Sequence, residues 1–244
     1  MNYNIKRFIM TLIGVFLFQT MLFSVDIFVE ENGSIQDAIN EASDGDTVIL
    51  EGGTYHENII IEKDITLKSQ DQNNKAVIDG SDPQGYNQSC IIVQTPRSND
   101  QNISVSIEDI EMTGGKGTEI FGDTNEDGIF NSDEVSKNMG GGLLIINANV
   151  ISEDNVIRDN GQSSSNNNDL SGTHGGGGVF AGDDGLALVG NQPNIPPNPH
   201  NNESRAFGVQ MRNTIFSNNI SNSSASGGRT VQAGDDGLAL IGNS

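Results

Sequence analysis

The sequence predicts an all-β protein that folds as a right-handed parallel β-helix with a short N-terminal capping α-helix. Two stretches of equal length, 181–191 and 233–243, are identical at all but one position. Many other segments are short, apolar and rich in β-branched residues, and one segment near the N-terminus has helical periodicity. Internal repeats combined with short strands are typical of solenoids, in which each layer stacks on the one before it.

Residues 1–24 have the layout of a secretory signal peptide. Lys6 and Arg7 precede an apolar run from Phe8 to Phe23, and the first acidic residue is Asp26. A basic start, an apolar stretch and a small residue, here Ser24, are typical of export signals. An uncleaved membrane anchor is the alternative, because the apolar run approaches the length of a span. We expect a secreted or cell-surface protein, with no membrane span after signal removal.

Residues 25–244 then form the predicted β-helix domain. A short strand at 26–30 leads to a helix at 34–43, which Ser34 is suited to cap. Ile35, Ala38, Ile39 and Ala42 give this helix one apolar stripe. Strands are predicted at Thr47–Leu50, Asn58–Glu62, Ile65–Leu67, Ala76–Ile78 and Cys90–Val93. Hairpin turn signals are scarce between them, which favours parallel stacking over a sandwich or barrel.

Asparagine-flanked strands mark the later repeats. One spans 155–160, another spans 213–218, and a weaker copy spans 109–114. Aligning these copies on their first residues predicts that Asn160 stacks on Asn218. It also places Ile110, Val156 and Thr214 in one row of side chains. The same alignment puts Met112, Arg158 and Phe216 in the next row, which must face outward to accommodate an arginine.

Residues 34–69 resemble the opening of right-handed β-helix proteins of the pectin lyase-like superfamily. The resemblance rests on the helix followed by the motifs DGDTV-x-L, beginning at Asp44, and GTY-x-EN, beginning at Gly53. Later, glycine blocks and the Ile157-x-x-Asn160 pattern are similar to repeats of polymorphic outer-membrane proteins. The resemblance implies that the helix plugs one end of the stack.

Residues 123–134 carry the sharpest chemical signal. Oxygen-bearing side chains alternate along this segment, glycine stands at its sixth position and an acid at its twelfth. This pattern resembles an EF-hand or dockerin-type loop, which wraps a single calcium ion in oxygen ligands. The predicted calcium ligands are Asp123, Asn125, Asp127, Ile129 through its carbonyl, Asn131 and Glu134. The alternative is a solvated acidic turn, and neither flank has the pattern of a helix.

The two GDDG turns have three possible interpretations. Asp183 and Asp184 resemble the adjacent aspartates of polygalacturonases, which act as acid and base on a glycosidic bond. However, the motif recurs as Asp235 and Asp236, and the other conserved motifs of that family are absent. A structural turn is therefore the favoured interpretation. A second, weak metal site formed by these four aspartates is also plausible.

Charge limits the choice of partner. The chain carries a net charge of −21, and removal of residues 1–24, which include two basic residues and no acidic one, makes it −23. Such a charge repels nucleic acid and favours cations. We expect a calcium-binding protein that binds a polysaccharide, cell-surface glycan or other surface partner without catalysis. The alternative is a polysaccharide-degrading enzyme, similar to pectate lyases or polygalacturonases, with Asp183 and Asp184 as acid and base.

The third repeat stops just after its acidic turn. A solenoid that ends between layers leaves an unpaired edge and an uncovered core. We therefore expect further repeats to follow Ser244 in a longer chain.

Overall fold

The computed structural model describes residues 24–81, 88–96, 102–120, 137–146, 148–161, 173–175, 179–182, 187–189, 209–219, 231–233 and 239–241. Within these ranges the protein is β-rich, with one short helix and three all-parallel sheets. The prediction of a β-rich protein built mainly from parallel strands is therefore confirmed for the described residues. Residues 1–23 of the predicted signal peptide lie outside the described ranges.

Sheet 1 has eight strands. In spatial order they are β1 (Asp26–Val29), β2 (Thr47–Leu50), β5 (Thr66–Ser69), β8 (Ser104–Glu108), β13 (Asn149–Glu153), β18 (Val209–Arg212), β17 (Ala187–Val189) and β21 (Ala239–Ile241). The strands follow chain order except for β17, which lies between β18 and β21. The sequence predicted layers stacked in strict chain order, so this exchange is a difference from that prediction.

Sheets 2 and 3 have five strands each. Sheet 2 consists of β3 (Thr54–Tyr55), β6 (Val77–Asp79), β9 (Glu111–Thr113), β14 (Val156–Arg158) and β19 (Ile215–Ser217). Sheet 3 consists of β4 (Ile59–Ile61), β7 (Ile91–Gln94), β12 (Leu143–Ile146), β16 (Val179–Gly182) and β20 (Val231–Ala233). From β2 onward the chain runs repeatedly through sheets 1, 2 and 3, and we call each such run a pass.

Sheet 4 is short and interrupts this order. It consists of β10 (Thr118–Ile120), β11 (Lys137–Met139) and β15 (Thr173–Gly175). Strands β10 and β11 are antiparallel, with Ile120 opposite Lys137. This antiparallel pair departs from the purely parallel pattern that the sequence predicts.

Apolar columns hold the passes together. In sheet 3 the register aligns Ile59, Ile91, Leu143, Val179 and Val231. In sheet 2 it aligns Tyr55, Ile78, Met112, Ile157 and Phe216. The first three residues of the sheet 3 column are fully buried, and the first four of the sheet 2 column are at most 2% exposed. They belong to one continuous core, whose burial supplies the main driving force for folding.

The strand register in sheet 2 corrects the sequence alignment by one residue. Val156 pairs with Glu111 and Ile215, whereas the alignment had placed it with Ile110 and Thr214. The side chain that lies on Asn160 is therefore that of Asn219, whose Oδ1 accepts a hydrogen bond from the Asn160 backbone N–H at 3.1 Å. A slip of one residue exchanges the inner and outer faces of a strand.

The corrected register has consequences for Arg158 and its predicted neighbours. Arg158 does face outward, as its charge requires, and its side chain is 40% exposed. Met112 instead lies in the inner column with Ile157 and Phe216. The predicted row of Met112, Arg158 and Phe216 was therefore wrong.

Corner residues with a left-handed backbone provide independent support for this register. Before β9, β14 and β19 of sheet 2, Asp109, Asp154 and Asn213 have φ angles of 57°, 55° and 48°. After the same three strands, Gly114, Asp159 and Asn218 have φ angles of 76°, 53° and 54°. Glycine, asparagine and aspartate adopt this conformation most readily, so the sequence meets the backbone requirement at equivalent corners.

Helix α1 (Ile35–Glu41) begins where the sequence predicts. The Ser34 hydroxyl caps it by accepting a hydrogen bond from the Asp37 backbone N–H at 3.2 Å. Ile35 and Ile39 are at most 2% exposed and belong to the same core as the sheets. The helix packs against β1, β2 and β4, which are the first strands of sheets 1 and 3. The predicted apolar stripe therefore covers the beginning of the core.

Candidate functional site

The residues that the sequence singled out as functional all lie outside the described ranges. This holds for the calcium-type ligands Asp123, Asn125, Asp127, Ile129, Asn131 and Glu134, and for the GDDG residues Asp183, Asp184, Asp235 and Asp236. Within the described ranges, no cluster of three or more histidine, cysteine, aspartate or glutamate side chains has a geometry that suits a metal ion. The described strands that precede and follow these residues show which parts of the fold the undescribed segments connect.

The calcium-type segment joins two paired strands. Strands β10 and β11 are antiparallel, and their last pair is Ile120 with Lys137. Directly opposed residues in such a pair lie about 5 Å apart. Asp123 and Glu134, the first and last predicted ligands, each stand three positions from this closing pair. The flanks of residues 121–136 are therefore two paired strands, whose last residues Ile120 and Lys137 lie opposite each other.

The two GDDG segments connect strands that occupy equivalent positions in the sheets. Strands β16 and β20, which precede the turns, pair in register, as do β17 and β21, which follow them. Val179 lies opposite Val231, and Ala187 lies opposite Ala239, so both pairs keep the offset of the sequence repeat. Neighbouring strands in a sheet lie about 4.8 Å apart. The strands that precede the two GDDG segments are therefore adjacent, and so are the strands that follow them.

The outer face of sheet 1 presents two rows of mixed polar and apolar side chains that run across the strands. One row aligns Thr47, Thr66, Ser106 and Ile151, and the next aligns Ile49, Lys68, Glu108 and Glu153. In the first row the side chains on three successive strands are small and carry hydroxyl groups. Ile151 follows them and is 43% exposed, which is high for a large apolar side chain in a sheet.

A shallow depression of about 320 Å³ lies on this face, at the start of β5, β8 and β13. It is lined by Gly45, Asp64, Ile65, Thr66, Ser104, Val105, Ser106, Asn149 and Ile151. Its lining combines the hydroxyl side chains of Thr66, Ser104 and Ser106 with the apolar side chain of Ile151, and most of the lining surface is apolar. Among the described residues that line it, Asp64 is the one with a formal charge.

Hydrogen bonds fix the polar groups around the depression. The Ser104 backbone N–H donates to Asp64 Oδ1, and the Ser106 hydroxyl donates to Glu108 Oε1 at 2.7 Å. Asn149 Nδ2 donates to Ser104 Oγ at 3.4 Å. On the same face Lys68 lies directly opposite Glu108 in the strand register, so its charge has a neighbouring carboxylate. This surface suits a neutral, hydroxyl-rich ligand better than an anionic one.

Two further groups have reactive side chains but do not form a catalytic arrangement. His56 Nδ1 lies 3.3 Å from Asp79 Oδ2, and the imidazole is 64% exposed, as expected for a solvated loop residue. Cys90 is fully buried, and burial raises the pKa of its thiol to about 12. The thiol therefore stays protonated at neutral pH and is a poor nucleophile.

The depression was not found from the sequence. Its signal is the alternation of small polar residues with buried apolar residues in β8, where Ser104 and Ser106 flank Val105. That alternation identifies an outer face but does not say which strands lie beside it. The register that brings Thr66 next to Ser106 joins two strands that are distant in the chain.

Comparisons with known proteins give no relative for this chain. No protein-family model, no curated protein and no solved structure matches it. In the part of the chain that the structure describes, no helix is long and apolar enough to cross a membrane.

Proposed function

We propose that this chain is an exported, calcium-binding, right-handed parallel β-helix of the pectin lyase-like type that binds a glycan or a surface partner without catalysis. Repeated passes through three parallel sheets around one core support the solenoid. The nearly universal right-handedness of parallel crossovers supports the winding. The basic and apolar pattern before Ser24 supports export to the cell surface or medium.

Glycan binding rests on the depression in the outer face of sheet 1. Hydroxyl and amide groups there offer both donors and acceptors to sugar hydroxyls, while the exposed Ile151 side chain offers apolar contact to the C–H face of a sugar ring. The row of hydroxyl groups on β2, β5 and β8 repeats at the strand spacing of about 4.8 Å. An extended oligosaccharide that crosses these three strands would meet a hydroxyl group on each one.

A glycan array with one substitution and a matched control tests this proposal. We expect Ile151→Lys to abolish binding, because a long cationic side chain would fill the edge of the depression. Ile215→Lys is the control, since Ile215 is also an exposed strand residue, at 60%, but belongs to sheet 2. Equal binding by both variants would exclude the depression as the site. Absence of binding by the unmodified protein would reject glycan recognition.

The alternative function is polysaccharide cleavage with Asp183 and Asp184 as acid and base. The paired strands around both GDDG copies favour a repeated structural turn instead, because a single catalytic site would not require two equivalent copies. Incubation with polyuronates and neutral glycans, followed by assays for reducing ends and unsaturated products, distinguishes the functions. Product that forms with the unmodified protein and disappears in Asp184→Asn would replace our proposal with catalysis.

Calcium binding at residues 123–134 is supported by the closing of this segment by β10 and β11. Bringing two chain ends together costs conformational entropy. Because the antiparallel pair already holds Ile120 and Lys137 together, calcium binding would not have to offset that part of the cost. Calcium should therefore raise the melting temperature relative to a chelator. Glu134→Gln should remove this effect, whereas Asp133→Asn should retain it, because position eleven of such loops is not a ligand position. Calorimetric traces that do not respond to calcium would reject the site.

A second, weaker calcium site at Asp183, Asp184, Asp235 and Asp236 follows from the same pairing argument. Carboxylates at equivalent positions of neighbouring passes repel one another unless a cation lies between them. Titration calorimetry of Glu134→Gln should then show residual weak binding, and Asp184→Asn in that background should remove it.

A further inference from the structure

The backbone N–H of Val25 points at a buried carboxylate. Val25 directly precedes β1, and its N–H donates to Asp46 Oδ1 at 2.8 Å. The Val25 carbonyl accepts a hydrogen bond from the Thr47 backbone N–H at 2.9 Å. Both backbone polar groups of Val25 are therefore hydrogen-bonded, the N–H to the Asp46 side chain and the carbonyl to the first residue of β2.

Asp46 is buried without an ion pair. The residue is 6% exposed, and its Oδ2 accepts a hydrogen bond from the Ser43 backbone N–H at 2.8 Å. Hydrogen bonds from the Ser43 and Val25 backbones lower the pKa of this carboxyl, so it is ionised at neutral pH. None of the salt bridges between described residues includes Asp46. The positive charge of Lys63 also favours the ionised form, but Lys63 does not form an ion pair with Asp46 in this structure. Two backbone hydrogen bonds offset only part of the cost of burying a carboxylate, so a cation in direct contact with it would stabilise the fold further.

Ser24 and Val25 form the boundary between two kinds of sequence. The apolar run ends at Phe23, Ser24 is a small residue of the type found before signal cleavage sites, and β1 starts at Asp26. Cleavage after Ser24 would turn the Val25 amide nitrogen into an α-amino group. That nitrogen is the atom that already contacts Asp46.

We propose that the exported chain is processed at the Ser24–Val25 bond, and that the new α-ammonium group of Val25 forms an ion pair with Asp46. This inference rests on the proposed export. Hydrolysis breaks the C–N bond with one water molecule, leaves a carboxylate on Ser24 and an amine on Val25, and the amine takes up a proton. The ammonium group keeps the existing hydrogen bond and adds a positive charge, which makes the bond stronger than that of a neutral amide.

The first test is intact-mass measurement of the protein recovered from the medium or cell surface. We expect a chain that starts at Val25. An exported chain that starts at any other residue would overturn this inference and leave export standing. A chain that keeps residues 1–24 and stays inside the cell would reject export as well.

The second test compares three N-termini on the same folded protein. One chain starts at Val25, the second carries one glycine before Val25, and the third has an acetylated Val25. We expect the free Val25 amine to give the highest melting temperature at pH 7, by several degrees. Equal melting temperatures for all three chains would show that no ion pair forms, and would overturn the inference without any substitution at Asp46.

The dependence on pH gives a further check. A free α-amino group ordinarily titrates at about 7.7–8.0, and a carboxylate partner raises that pKa in the folded protein. The extra stability of the Val25 chain should therefore be complete below about pH 7.7 and disappear as the pH rises through the folded-state value. Other charged groups in the adjoining turns are Lys63, Asp44 and Asp64, which all three chains share. A difference that persists unchanged at pH 11 would contradict the ion pair.

Discussion

Buried asparagines at the corners of sheet 2 bond to the preceding pass in one repeated way. The Oδ1 atom of Asn155 accepts from the Ile110 backbone N–H at 2.7 Å, and its Nδ2 donates to the Ile107 carbonyl at 2.7 Å. Asn160 makes the same two bonds to Gly115 and Met112. Each side chain thus satisfies a donor and an acceptor that the turn leaves unpaired in the core.

Replacing Asn155 by alanine should therefore be costly. Asn155 is fully buried, so the substitution leaves the Ile110 N–H and the Ile107 carbonyl without partners. We expect a loss of about 2–4 kcal/mol in the free energy of unfolding, measured by urea denaturation. Asn73→Ala is the control, because Asn73 bonds only within an exposed turn. Equal losses in the two variants would contradict a structural role for the buried amide.

At the scale of the element, α1 is held at both ends by residues on either side of β4. Glu57 Oε1 accepts from the Ile35 backbone N–H at 3.0 Å, at the start of the helix. Lys63 Nζ donates to the carbonyls of Ile39, Asn40 and Ala42 at 3.0, 2.7 and 2.6 Å, at its end. A negative group at the N-terminus and a positive group at the C-terminus both oppose the helix dipole.

Lys63→Met tests the importance of this second cap. The substitution keeps an unbranched side chain of similar length but leaves three carbonyls without their donor. We expect the free energy of unfolding to fall by about 1–2 kcal/mol. Lys68→Met, on the outer face of neighbouring β5, should change it by less than about 0.5 kcal/mol. The cap is unimportant if both variants unfold at the same urea concentration.

The whole molecule combines one continuous core with a large negative charge. The core includes Val29 near the start of sheet 1 and Met211 in β18, so it runs through successive passes. The chain has 33 acidic and 12 basic residues, which repel one another on balance across the surface. The stability of the molecule should therefore depend on the screening of its negative charges by salt as well as on the burial of its apolar side chains.

We expect the melting temperature to rise with sodium chloride between 0.01 and 0.15 M, because the screening length falls from roughly 30 Å to about 8 Å. Choline chloride should have the same effect if screening is responsible. Calcium chloride at matched ionic strength should raise the melting temperature further if residues 123–134 bind the ion. Scanning calorimetry measures all three series, and a melting temperature that is independent of salt would contradict repulsion as a destabilising force.

Local patterns were sufficient to predict much of this fold. The strand at Thr47–Leu50, the helix with its Ser34 cap and the apolar stripe of that helix all follow from periodicity and capping chemistry, which act over a few neighbouring residues. The strands around the GDDG copies also pair at the offset that the sequence repeat predicts. For the strand and the helix, the residues that determine the structure are neighbours in the chain. For the GDDG copies, the sequence repeat itself indicates which strands pair.

Only the tertiary structure decided how distant segments meet. Val156 and Ile215 pair although a long stretch of chain separates them, and their register depends on which side chains of neighbouring passes are buried together. The same holds for the depression between Thr66 and Ser106, the antiparallel closure around residues 121–136, and the contact of Val25 with Asp46. These features depend on which residues stack across passes, because a side chain's neighbours in parallel sheets come from different parts of the sequence.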